Sequence, residues 1–98
     1  MTAKEQLIIT DNSLEDYRKI LQNEEKKSST IEKYIRDVKK LRDFAKGQPI
    51  TQELLINYKQ HLQSSNLYTT SSINSYIAAA NNFCRTMDAH LLHIKMLR

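Results

Sequence analysis

A chain of 98 residues, 40% hydrophobic and 27% charged, makes one small domain with a single modest core. One Gly and one Pro leave little turn punctuation and argue for helices joined by polar loops, while a lone cysteine excludes an internal disulfide and fits a reducing compartment. No run approaches the roughly 18 to 20 apolar residues needed to span a bilayer, and the opening MTAKEQLIIT has no cleavable secretory pattern, so no membrane association and a cytoplasmic location are expected. The net charge of +4 is unevenly placed. Residues 1–25 carry a balance of −3, residues 26–46 carry +5 and residues 47–98 carry +2. A surplus concentrated in one segment points to a polyanionic partner, nucleic acid among them, with a solvated helix face as the alternative.

In chain order, residues 1–11 read as a flexible lead-in, with QLIIT placed to lie on the domain. Leu14, Tyr17, Ile20 and Leu21 recur at helical spacing and predict a first helix over about 13–23, capped by Asn12 or Ser13. The second helix, about 29–46, carries the stripe Ile31, Tyr34, Ile35, Val38, Leu41, Phe44 and Ala45. Ser29 and Glu32 fit a capping box at its start, and Gly47 with Pro49 ends it. Thr51 caps a third helix over about 51–65, with Ile50 and Leu55 as a hydrophobic staple and Leu54, Leu55, Tyr58 and Leu62 inward. A polar loop, SNLYTTSS, leads to a fourth helix over about 71–87, beginning at Ser71 or Ser72. Ile73, Ile77, Ala80, Cys84 and Met87 share one of its faces. The tail AHLLHIKMLR is apolar enough to want a partner. The fold class is therefore all-α, a four-helix bundle, with a helical domain over 12–88 and the start of a linker over 89–98.

No catalytic constellation emerges. His90 and His93 are spaced for a metal only if further ligands converge, and none is near in sequence, so neither metal nor cofactor is expected. Cys84 falls on an apolar stripe and reads as a small buried hydrophobe. Gly47 stands alone, which excludes a glycine-rich phosphate loop. The fragment by itself is not read as an enzyme.

The run KKSSTIEKYIRDVKKLRDF resembles the start of the core-binding domain of tyrosine recombinases, the phage-integrase family. The likeness rests on Lys27, Ser28, Ser29, Thr30 and Tyr34, continued by Arg36, Asp37, Leu41 and Phe44. ITQELLINYKQHLQ is similar to that family's third helix, YTTSSINSYIAAANNFCRTM to its fourth, and HIKMLR to the run leading toward a catalytic domain. The resemblance covers residues 12–98 and implies a SAM-like bundle that clamps duplex DNA at a recombination site during integration or excision. It also implies that catalysis, with its Arg, Lys, His-x-x-Arg element and tyrosine nucleophile, resides in a separate domain of the same parent chain. Where family members often carry Arg early in the fourth helix, this chain has Ser75, Tyr76 and Asn81, so the second helix has to supply more of the charge.

With the apolar stripe inward, Lys33, Arg36 and Lys40 project outward, Lys33 and Lys40 two turns apart on nearly one line. Lys27 lies just before the helix, and Ser28, Ser29 and Thr30 can hydrogen-bond a phosphate at its N-terminus. Thr69, Thr70, Ser71 and Ser72 are placed to do the same at the fourth helix, with Asn74 and Ser75 one turn in. About half of these Ser and Thr positions serve only as caps or loop residues. Lys39, Arg42 and Lys46 solvate the back of the helix or pair with Asp43. The isolated domain is expected to be monomeric. The alternatives are a helical protein–protein interaction module, with LLHIKMLR docking on a partner, and a small DNA-binding regulator that is not an enzyme.

Overall fold

Four helices follow in the expected order in the computed structural model, which describes residues 6–89 and 91–97. They are α1 (Asp11–Asn23), α2 (Ser28–Ala45), α3 (Gln52–Ser64) and α4 (Thr70–Thr86), and no strand occurs among the described residues. The architecture is all-α. Each helix buries the stripe that its spacing dictates: Leu14, Tyr17 and Leu21 from α1, Ile31, Ile35, Val38, Leu41 and Ala45 from α2, Leu55, Tyr58 and Leu62 from α3. From α4 come Ile73, Ile77, Ala79, Ala80, Phe83 and Cys84. α4 packs most extensively on α2, and its small Ala79 and Ala80 are fully enclosed. Where α1 meets α4, Tyr17 and Phe83 pack edge to face with ring centroids 5.1 Å apart.

The helix starts differ from the sequence expectation in instructive ways. α1 is capped by Thr10, not Asn12 or Ser13. Thr10 Oγ1 accepts from the Ser13 N–H at 3.0 Å and the Thr10 N–H donates to Ser13 Oγ at 2.7 Å, so serine fills the place that Glu takes in the usual capping box. α4 is capped by Thr69, two residues ahead of the expected Ser71, through the Ser72 N–H at 3.1 Å. Thr51 caps α3 as its position suggests, accepting from the Leu54 N–H, and both staple residues, Ile50 and Leu55, are buried. The capping box expected at Ser29 and Glu32 is not formed. The N-cap of α2 is Lys27, which makes no side-chain cap, and Ser29 already lies within the helix. At the other end of α2, Lys46 itself takes the left-handed conformation (φ 53°) before Gly47 (φ 80°).

The described residues on either side of the four helices fold onto the bundle. Ile9 is buried, and the Ile50 N–H donates to the Leu7 carbonyl at 2.7 Å. α4 ends in a Schellman turn. Asp88 is left-handed (φ 64°), its N–H donates to the Arg85 carbonyl, and the Ala89 N–H reaches back to the Cys84 carbonyl at 2.7 Å. That turn sends the tail back along the domain, where Ile94 is only 2% exposed. The apolar tail read as wanting an external partner is thus seated on its own bundle.

Candidate nucleic-acid interface

The outer line of α2 is set by spacing. Ser29, Lys33, Arg36 and Lys40 fall at intervals of four, three and four residues, opposite the buried stripe. Two of the three cations are held against α4. Lys33 Nζ donates to Asp37 Oδ2 at 2.8 Å and to Ser75 Oγ across the helix interface. Lys40 Nζ stands 4.5 Å from the Tyr68 ring centroid and 5.2 Å from that of Tyr76, and it donates to the Tyr68 hydroxyl. Arg36 is the cation left reaching for solvent. Its side chain is 74% exposed, with Nε 3.8 Å from Asp37 Oδ1, beyond hydrogen-bond reach.

Asp37, named from sequence only for the family likeness, has a part here that sequence reasoning missed. It is 4% exposed, the one buried charged side chain among the described residues, and it neutralises part of the field of Lys33 and Arg36. Because Lys33 lies in the second turn of α2 and Ser75 in the second turn of α4, their contact brings the early turns of the two helices together.

The remaining cations of α2 turn to the other flank. Arg42 Nη1 pairs with Asp11 at 3.0 Å, and its Nε and Nη2 reach Asp43 at 3.4 Å. Glu32, free of the capping role, takes the Arg18 guanidinium, whose hydrogen bond holds its carboxyl below the ordinary range and raises Arg18 in turn. Glu32 is exposed and Arg18 half-buried, so solvent screens the pair and it adds little stability.

At the start of α2, Lys27, Ser28 and Ser29 are exposed and Thr30 is half-buried. The first-turn amides there meet no capping side chain. At the start of α4 the hydroxyls divide by task. Thr69 caps the helix through the Ser72 N–H and its hydroxyl donates to Ser72 Oγ at 3.1 Å, whereas Thr70 and Ser71 are exposed. Ser75 is engaged by Lys33, and Asn74 by the tail: its Nδ2 donates to the Leu97 carbonyl at 3.0 Å and its Oδ1 accepts from the Leu97 N–H at 2.7 Å. Of the sequence-selected residues, Lys33 and Ser75 are joined across α2 and α4, and Lys40 meets Tyr68 and Tyr76, whereas Lys27, Ser28, Ser29, Arg36, Thr70 and Ser71 are exposed. The two tyrosines were not among the residues selected from sequence. Their signal was a pair of aromatics flanking the start of a helix opposite an unpaired lysine.

Burial pushes the Cys84 thiol up to about 11, which keeps it protonated and inert. The same cause raises the phenols of Tyr17 and Tyr58. No group of three potential metal-binding side chains converges among the described residues, and His90 lies outside them. None of the helices is long and apolar enough to cross a membrane.

Residues 14–89 match the family model described as phage integrase, N-terminal SAM-like domain. No curated protein and no solved structure matches the chain.

Proposed function

This chain belongs to the phage-integrase N-terminal SAM-like family, and from that membership we propose that it holds duplex DNA for a site-specific tyrosine recombinase whose chemistry is done by another domain of the parent chain. What supports the reading is the outer line of Lys33, Arg36 and Lys40 on α2, joined to the second turn of α4 through Lys33 and Ser75.

Holding DNA asks for cations and donors already pointed at phosphates. Arg36 and Lys27 supply charge that releases condensed counterions. The exposed hydroxyls of Ser28, Ser29, Thr70 and Ser71 supply donors, and the uncapped start of α2 adds first-turn amides and partial positive charge. Lys33 and Lys40 play a different part. Their ammonium groups are fixed by Asp37, Ser75, Tyr68 and Tyr76, so they contribute a fixed field with little rotamer entropy left to lose. Asn74 reads no base while Leu97 occupies its amide. A handful of phosphate contacts gives weak binding with little sequence preference, roughly 10⁻⁴ to 10⁻⁶ M at physiological salt.

Titrating the labelled chain with a short duplex tests the reading. Chemical-shift changes are expected at residues 27–36 and 69–76. Changes confined to α3 and the tail remove the α2–α4 face from the interface.

A further inference from the structure

The seat of the C-terminal segment has a regular geometry. Asn81 donates to the Ile94 carbonyl at 2.9 Å and accepts from the Ile94 N–H at 2.8 Å, two bonds to one residue, as a paired strand would make. Asn74 does the same for Leu97, and Gln52 for His93, donating to its carbonyl at 2.7 Å and accepting from its N–H at 3.1 Å. Lys59 Nζ donates to the Lys95 carbonyl at 2.7 Å. The two asparagines are seven residues apart on α4, a rise of about 10.5 Å. Their targets are three residues apart, which in an extended chain is about 10 Å. The match fixes the register and runs the segment antiparallel to α4. Only one side chain of the segment is fully enclosed, Ile94.

We propose that this face of α3 and α4 is a peptide-binding site that reads an extended backbone around one aliphatic anchor, and that the partner it fits in trans is the 92–97 segment of a second copy of the chain. Every contact made in cis is available to the same segment from another copy, because the amides of the site touch only backbone and the anchor pocket is shaped for Ile94. The left-handed Asp88 and the Schellman turn at the end of α4 form the corner about which the resident segment leaves its seat. The site shares Asn74 with the proposed DNA face, but its contacts with the segment do not depend on DNA.

The test uses the full chain carrying Ile94→Asp, which weakens the resident segment, with a synthetic peptide of residues 91–97 as probe and the side-chain amide signals of Asn74 and Asn81 as readout. The variant is expected to bind the peptide at least about tenfold tighter than the wild-type chain, whose tethered segment competes at an effective concentration of order mM. Adding Asn81→Leu is expected to abolish that binding. No binding by the folded variant overturns the proposal, as does equal binding of a peptide with aspartate in place of Ile94. Should Ile94→Asp fail to fold, amide hydrogen exchange decides. The Ile94 and Leu97 amides of the wild type are expected to be protected and to exchange about tenfold faster in Asn81→Leu, and exchange at the rate of an unstructured peptide in the wild type overturns the seat.

Discussion

Replacing Phe83 with alanine is expected to bring the domain close to its stability limit. The Phe83 ring is fully buried, packs edge to face on Tyr17, and stands where α1 meets α4. Large-to-small changes at such positions cost about 3–5 kcal/mol, because the lost transfer energy is joined by a cavity that the surroundings fill only in part. Loss of the aromatic pair adds about 0.5–1.5 kcal/mol. Small domains have a total stability toward the lower end of about 5–15 kcal/mol, so most of it is removed. For a domain of this size each kcal/mol moves the melting temperature by about 4–8 °C, and a drop of more than about 12 °C by helical circular dichroism is the expected result. Phe83→Leu keeps most of the volume and should lose far less. A Phe83→Ala melt within a few degrees of wild type would mean that α1 is not locked to α4 through this ring.

Lys33→Met is expected to destabilise the bundle by about 1–3 kcal/mol, although a surface lysine ordinarily contributes almost nothing. The reason is its partner. Lys33 is 46% exposed and loses little when its charge goes, but Asp37 is 4% exposed and is left with Arg36 3.8 Å away. A buried carboxylate stripped of its donor bears the desolvation penalty alone. Two consequences separate this account from a loss of packing. Asp37→Leu should cost less than Lys33→Met, since the freed ammonium turns to water. The double substitution Lys33→Met with Asp37→Leu should be more stable than Lys33→Met, a coupling that a thermal-melt double-mutant cycle measures directly. Additive single effects would contradict the pairing. The same geometry changes what Lys33→Glu reports. On a lysine that only faced solvent, that change would weaken DNA binding and leave the fold intact. In the structure it sets a second carboxylate beside Asp37, so stability and binding fall together and the variant cannot separate them.

The bundle was legible because its information is periodic. Leu14, Tyr17 and Leu21, or Ile73, Ile77 and Cys84, repeat at helical spacing and are buried as that spacing requires. The helix starts were legible only to within a residue or two. Runs such as TTSS offer several hydroxyls of equal capping power, and the choice of Thr69 over Ser71 is settled by where the chain enters the bundle. Glu32 shows how a local motif loses to a tertiary one. Its spacing from Ser29 suits a capping box, yet the Arg18 guanidinium from α1 takes the carboxylate and the helix begins one residue earlier.

The candidate face was legible as a list of residues and not as an arrangement. Spacing along α2 placed Lys33, Arg36 and Lys40 on one line, but nothing in it shows that Ser75 receives one lysine or that Tyr68 and Tyr76 cradle another. Asn74 was read as an outward polar residue. Its pairing with Leu97 depends on the tail returning along α4, and the only trace of that in the sequence is a second asparagine two turns later, followed by an apolar tail. The burial of Asp37 was not legible because one acidic residue beside a basic run looks like an ordinary surface ion pair.

The most direct test of the central claim is the salt dependence of duplex binding for Arg36→Gln, with Lys46→Gln as the control on the far end of the helix. Arg36 is the solvent-facing cation on the outer line of α2, and its loss should leave the melting temperature unchanged. The account predicts weaker binding and a plot of log K against log salt that is shallower by about 0.9, one phosphate contact, for Arg36→Gln. Lys46→Gln should match the wild type. Equal slopes and affinities for all three proteins would contradict the claim that the outer line of α2 meets the phosphates.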